Sequence, residues 1–166
     1  WSTKSSGASS NDPVEHIMTA HSVIMKATGY KANKLILTWD AFNTLKTNTI
    51  IMDRLKTTSD KVVTADAIAR LFEVDRMVVL DAVNEDGSDF LATSRALLCY
   101  TPDRPSKFAP SAGYHIVYTG GEIGRAVRTN KIPMPEKNNS LRIEADMYID
   151  QVVVSTDLGV YLYGMV

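Results

Sequence analysis

VVTADAIARLFEVDRMVVLDAV, residues 62–83, decides the fold, because its hydrophobic period changes midway. In the first half Ala67, Ile68, Leu71 and Phe72 recur at three-and-four spacing, the pattern of a helix with one apolar face. Thr64 stands where a helix cap belongs, Asp66 favours the positive N-terminal end, and Arg70 and Glu73 lie outward. From Met77 to Leu80 the apolar run is continuous, which predicts a strand covered on both faces. NEDGSD, residues 84–89, then supplies a turn, with Gly87 placed for a positive φ. The clearest signal in the chain is therefore a packing signal, with no nucleophile, metal cluster or phosphate loop attached to it.

Upstream, DPVEHIMTAHSVIMKATG reads as a bounded helix: Asp12 caps it, Pro13 takes its first position, Glu15 lies in the first turn and Gly29 stops it. Val14, Ile17, Met18, His21, Ile24 and Met25 form its apolar stripe. KLILT is a short buried strand, and in WDAFNTLKTN the residues Trp39, Phe42 and Leu45 fall on one side of a second helix. NTIIMDRLKTTS continues as a further helical turn or two before a polar loop.

Downstream, RALLCY is another buried strand, and TPDRPSKFAPSAGY is a proline-punctuated loop with Phe108 as its only large apolar residue. In YHIVYTGGEIGRAVRTNKIP, Tyr114, Ile116 and Tyr118 alternate with His115 and Val117, and the glycine pair predicts a hairpin. The tail reads as two strands: Leu141, Ile143, Ala145 and Met147 alternate with charged residues, and Leu158 and Gly159 mark a turn back. Helices and strands interleave over the first two-thirds and the end is largely antiparallel, so the fold class is α+β.

The composition narrows the function classes. A chain of 166 residues with 45% hydrophobic content is one globular unit, or one with a small lobe, burying about 70% of its unfolded surface. Its formal net charge of -1 exerts no long-range pull towards nucleic acid or an anionic membrane. Arg95, Arg104, Lys107, Arg125, Arg128 and Lys131 thicken the basic content of the second half, but without interleaved aromatics they do not make a nucleic-acid footprint. One cysteine, Cys99, excludes an internal disulfide framework and reads as a small buried hydrophobe. No apolar run approaches the roughly 20 residues that cross a bilayer, and no basic-then-apolar signal pattern opens the chain. The first residue is Trp1 rather than Met, and the Ser-rich stretch that follows gives the look of a chain cut from a longer one; residues 1–11 read as a flexible lead-in.

The candidate chemistry is sparse. His16 and His21 are five apart and point about 140° from one another on a helix, so they do not share a metal. His21 reads as part of the packed face and His16 as solvent-facing. His115 has no acidic or nucleophilic neighbour in sequence. TGGEIGR fits neither the dinucleotide fingerprint nor the phosphate-loop spacing. Aligning NEDGSD with a calcium loop puts Ala82 and Thr93 where anchoring oxygens are needed. Asn138, Asn139 and Ser140 match a glycosylation pattern that is frequent by chance. No catalytic residue, cofactor site or metal ligand is assigned.

The order of segments carries a resemblance. DPVEHIMTAHSVIMKATGYKANKLILTWDAFNTLKTN, VVTADAIARLFEVDRMVVLDAV, RALLCYTP, PSAGYHIVYTGG and IDQVVVSTDLGVYLYGMV, in that order, resemble the major capsid protein of tailed bacteriophages and prophages. The resemblance implies the tailed-phage capsid fold, with residues 12–135 as an axial-domain-like unit and residues 136–166 as C-terminal antiparallel strands of the peripheral domain. It departs from the family in lacking the N-terminal arm, extended loop and spine helix, which would precede Trp1.

What the resemblance implies about function is a non-enzymatic shell subunit. It would assemble with copies of itself in pentamers and hexamers, with a scaffolding protein as a further partner, and enclose DNA without sequence recognition. Its place would be the virion capsid, after assembly in the host bacterial cytoplasm, with no membrane partner. A subunit of that kind stores its information in packing and surface complementarity rather than in perturbed titrating groups. The alternatives are an encapsulin-like compartment shell, a minor phage structural or adaptor protein, and a small enzyme whose site assembles from distant residues such as His115 and Asp81.

Overall fold

The change of period at residues 62–83 becomes a helix-to-strand joint in the computed structural model, which describes residues 1, 12–56, 63–106, 108–118, 127–138 and 140–165. The chain runs α1 (Pro13–Thr28), β1 (Lys34–Thr38), α2 (Trp39–Thr47), α3 (Thr49–Lys56), α4 (Ala65–Leu71), β2 (Arg76–Leu80), β3 (Arg95–Cys99) and β4 (Gly113–Val117). It continues through β5 (Val127–Met134), β6 (Ser140–Met147), β7 (Ile149–Val153), a 3-10 turn at Thr156–Leu158 and β8 (Gly159–Tyr163). The mixed α+β class expected from the periodicity is what forms.

The helix boundaries follow from side-chain chemistry. Asp12 Oδ1 accepts from the Val14 amide at 2.9 Å, and Gly29, at φ 78, ends α1 with its amide donating to the Met25 carbonyl at 2.9 Å. A left-handed residue there favours glycine, which has no Cβ to clash. Val14, Ile17, Ala20, His21 and Ile24 are buried, whereas Met25, placed on the stripe by spacing, is 49% exposed because it lies a further 100° round from Ile24. Thr64 caps α4 as expected, its hydroxyl accepting from the Ala67 amide at 3.2 Å. Ala67, Ile68 and Phe72 are buried, and Leu71 packs at the margin of the core. Gly87 takes φ 64 in the turn after β2, as its position predicts.

Two compact units divide the chain: residues Trp1–Ala112 with Ser155–Val166, and Gly113–Val154. The first holds a four-stranded sheet of order β2-β1-β3-β8, with β2 parallel to β1 and the other pairs antiparallel. Strand alternation sends Leu35, Leu37, Ala96 and Leu98, with Met77, Val79, Val160 and Leu162, to one face. Ile17, Ile24, Phe42, Leu45, Ile51, Ile68 and Phe72 from the four helices pack on that face. Burying each such side chain contributes about 1.5–3 kcal/mol, so this layer holds the unit together.

Several expectations change. The apolar run of β2 is not covered on both faces: β2 is an edge strand of the sheet, with Arg76 and Leu80 exposed and only one face under helices. The hairpin expected after β4 does not pair β4 with β5; β4 pairs with β7, and β5 with β6. The TGGEIGR turn itself lies outside the described residues. The tail forms three strands rather than two, broken at Tyr148 and by the 3-10 turn. The boundaries of the compact units fall at Gly113 and Val154, because β8 pairs with β3 and so returns residues 155–166 to the first sheet. Trp1, assigned to a flexible lead-in, is buried at 5% exposure; residues 2–11 lie outside the described residues.

The second unit consists of two antiparallel ribbons, β4 with β7 and β5 with β6. Gly113 lets β4 lie close to β7, since a Cβ there would sit 3.0 Å from the Val152 carbonyl oxygen. No described residue between Gly113 and Val154 is buried.

Candidate interaction surface

The four-stranded sheet has a second face, and its registers place the side chains in rows. Val78, Ile36, Leu97 and Tyr161 are paired in sequence across the four strands, on the face opposite the core. One pleat to one side the row is Leu80, Thr38, Arg95 and Tyr163; one pleat to the other it is Arg76, Lys34, Cys99 and Gly159. The segment after β3 crosses the Cys99 and Gly159 end. There Asn33 Nδ2 donates to the Thr101 carbonyl at 2.7 Å, and a Cβ on Gly159 would meet that of Ala112 at 3.8 Å. Towards the Leu80 and Arg95 end lies a largely apolar groove of about 340 Å3, lined by Ile36, Thr38, Leu80, Ala92, Leu97 and Tyr161 together with Arg95. Arg95 Nη1 donates to the Tyr161 hydroxyl at 2.6 Å, and its guanidinium carbon lies 5.9 Å from the ring centroid.

A second apolar surface lies in the second unit. On the β5–β6 ribbon, Val127 faces Met147, Lys131 faces Ile143 and Pro133 faces Leu141, so one side is largely apolar. The other side carries the Asn130–Glu144 and Ile132–Arg142 pairs, with Arg142 and Glu144 in an ion pair at 2.8 Å. Leu141, Ile143 and Met147 are each more than half exposed. A smaller groove of about 320 Å3 involves Ile116, Tyr118, Met147, Tyr148 and Ile149, where the Tyr118 and Tyr148 rings meet edge to face at 6.4 Å.

Within each unit the described titratable residues singled out from sequence form no cluster. His21 is buried, its Nε2 lying 3.1 Å from the Phe72 carbonyl oxygen, which matches its place on the packed face. His16, read as solvent-facing, is half-buried and accepts at Nδ1 from the Trp1 indole N–H at 3.2 Å. Asp81 is exposed after β2 in the first unit, and His115 is exposed on β4 in the second. Cys99 is buried, and burial pushes its thiol pKa up against the opposing charge of Lys34. In the proline-rich loop Arg104 is exposed and Phe108 is 97% exposed, while Lys107 lies outside the described residues. Among the described residues no group of three or more His, Cys, Asp or Glu is placed to hold a metal ion, and no helix is long and apolar enough to cross a membrane.

The arrangement offers packing surfaces rather than reacting groups. Sequence reasoning missed the open sheet face, although the alternation of Val160 and Leu162 with Tyr161 and Tyr163 in GVYLY signals a two-faced strand.

No protein-family model matches the chain. Over 124 residues it is 25% identical to the major capsid protein of Burkholderia phage BcepMu, an alignment covering 70% of this chain and 40% of that protein. The chain is similar to a phage capsid protein. The crystal structure of a phage-related protein from Bordetella bronchiseptica RB50 has the same fold over 93% of this chain and 51% of that one, with a TM-score of 0.75 at 24% identity. The chain thus spans about half or less of the length of each of these two proteins. The structural likeness shows the fold, and the likeness to the capsid protein supports a phage structural role.

Proposed function

We propose that the chain is part of the structural subunit of an icosahedral phage capsid. In this reading it packs head to tail with copies of itself in pentamers and hexamers. The first unit takes the axial position near the capsomer centre, and the second contributes strands to the peripheral domain. The shell encloses DNA without reading its sequence and assembles in the bacterial cytoplasm with the help of a scaffolding protein.

The observation that carries this reading is the second unit, in which no described residue is buried. Isolated two-stranded ribbons are marginal in water, and exposed apolar rows of this extent mark contact surfaces. Such a unit gains its stability by packing on further protein, as a shell subunit does. The similarity to a capsid protein supports the same reading.

The test is electron microscopy of the product of the whole reading frame expressed in bacteria, beside the solution size of the 166-residue chain. Closed shells or capsomer rings from the whole product are expected, with a monomer or small oligomer from the 166-residue chain. Only soluble monomers from the whole product, with its scaffolding partner co-expressed, would overturn the reading.

A further inference from the structure

The open face of the β2-β1-β3-β8 sheet has an apolar row like those of the core face, but with cationic margins that the core face lacks. Its central row, Val78, Ile36, Leu97 and Tyr161, is apolar across all four strands. Its flanking rows bring Arg76 and Lys34 on one side and Arg95 on the other, and no residue of the three rows is acidic. Among the described residues none of these three cations forms an ion pair; Arg95 is held instead by Tyr161.

The dimensions define what fits. Four strands at about 4.8 Å spacing make the apolar row about 14 Å long, the length of about nine or ten helical residues. Each cationic row lies two residues along the strands from it, about 7 Å away, which is near the half-width of a helix with its side chains. A helix laid across the strands would therefore set an apolar stripe on the central row and its two margins over cations. Positive charge on both margins calls for negative charge on both margins of the occupant.

We propose that this sheet face docks a short amphipathic helix of a partner protein, with apolar anchors at i, i+4 and i+7 and carboxylates along both margins. The proposal stands on the sheet face alone, so it survives or fails independently of the shell reading. Arg95, pre-positioned by its bond to the Tyr161 hydroxyl, pairs with one margin, and Arg76 and Lys34 pair with the other.

The experiment uses the 166-residue chain and a hydrocarbon-stapled helical peptide with leucines at i, i+4 and i+7 and glutamates on both margins, read by fluorescence anisotropy. A second peptide carries lysines in place of the glutamates. The glutamate peptide should bind about tenfold or more tightly than the lysine peptide, a preference that weakens with added salt. Arg76→Glu combined with Arg95→Glu changes two exposed side chains and should reverse the preference while leaving the circular dichroism spectrum unchanged. Leu97→Asp should abolish binding of both peptides.

No binding, equal binding of the two peptides, or indifference to the double charge reversal would overturn the proposal. A DNA duplex that binds the chain, competes with the glutamate peptide and is lost in the double variant would reassign the face to nucleic acid. Self-association in sedimentation that Leu97→Asp removes would reassign it to a second copy of the chain.

Discussion

His21 on α1 reaches the carbonyl oxygen of Phe72 at the end of α4, with Nε2 and oxygen 3.1 Å apart and Nδ1 buried without a partner. The bond requires the proton on Nε2 and ties the first helix to the joint where the helical period gives way to the strand. Burial is the largest cause holding the His21 pKa below its ordinary value, and the charge of Lys31 adds to it; the Phe72 carbonyl and Glu73 oppose it. Lys31 is itself paired with Glu73 through a side-chain hydrogen bond.

The sign of the pH dependence follows. A histidine whose folded pKa is depressed binds fewer protons folded than unfolded once the pH drops to about 6.5, so its stabilising contribution is full above that pH and is lost as pH falls below it. Thermal midpoints should decline on going from neutral pH into the mildly acidic range, before most carboxylates titrate. His21→Gln should flatten that slope, whatever it does to the midpoint at neutral pH. An unchanged slope in the variant would assign the acid sensitivity elsewhere.

Asn48 serves two helices. It closes α2 with its amide on the Leu45 carbonyl at 3.3 Å, and its Oδ1 accepts from the Ile50 amide at 3.0 Å at the start of α3. Its Nδ2 also donates to the Trp1 carbonyl at 3.2 Å. Asn48→Ala should cost about 1–3 kcal/mol in urea unfolding, since it removes a cap and leaves the Trp1 carbonyl short of a donor. A loss under about 0.5 kcal/mol would show that solvent replaces both bonds.

Cys99 should be inert while the chain is folded. It is 4% exposed and burial raises its pKa, so the reactive thiolate is scarce and shielded. Iodoacetamide at mildly alkaline pH should label it at least about a hundredfold more slowly than free cysteine, and at the ordinary rate in denaturant. Rapid labelling of the folded chain would show that the segment over Cys99 and Gly159 opens.

Amide hydrogen exchange should separate the two units. β1 and β3 lie in the middle of a sheet with one face packed under helices, whereas β5 and β6 form a ribbon in which no described residue is buried. Amides paired within β5–β6 should exchange about a hundredfold or more faster than those of β1–β3 in the chain by itself. Protection of the ribbon on addition of further protein would mark it as a contact surface, and equal protection in the isolated chain would count against that role.

Local chemistry was legible because it acts within a few residues. Asp12, Pro13 and Gly29 bound α1, Thr64 caps α4, and Gly87 takes its positive φ, each for a reason contained in its immediate neighbours. The covering of β2 was not legible, because an unbroken apolar run looks the same in a buried strand and in an edge strand. Nor was the pairing of β4 with β7, which joins residues separated by the whole β5–β6 ribbon. Alternation predicts that a residue points to one face or the other, but not what lies over that face.

The sequence by itself determined the element types and most of their ends, since periodicity and capping are local properties. The tertiary structure alone decided which strands pair, and thereby aligned Arg76, Lys34 and Arg95 around an apolar row drawn from four separate strands. It also decided that β8 completes the first sheet while no described residue of the second unit is buried. Partners and registers depend on contacts between residues far apart in the chain, and no local pattern encodes them.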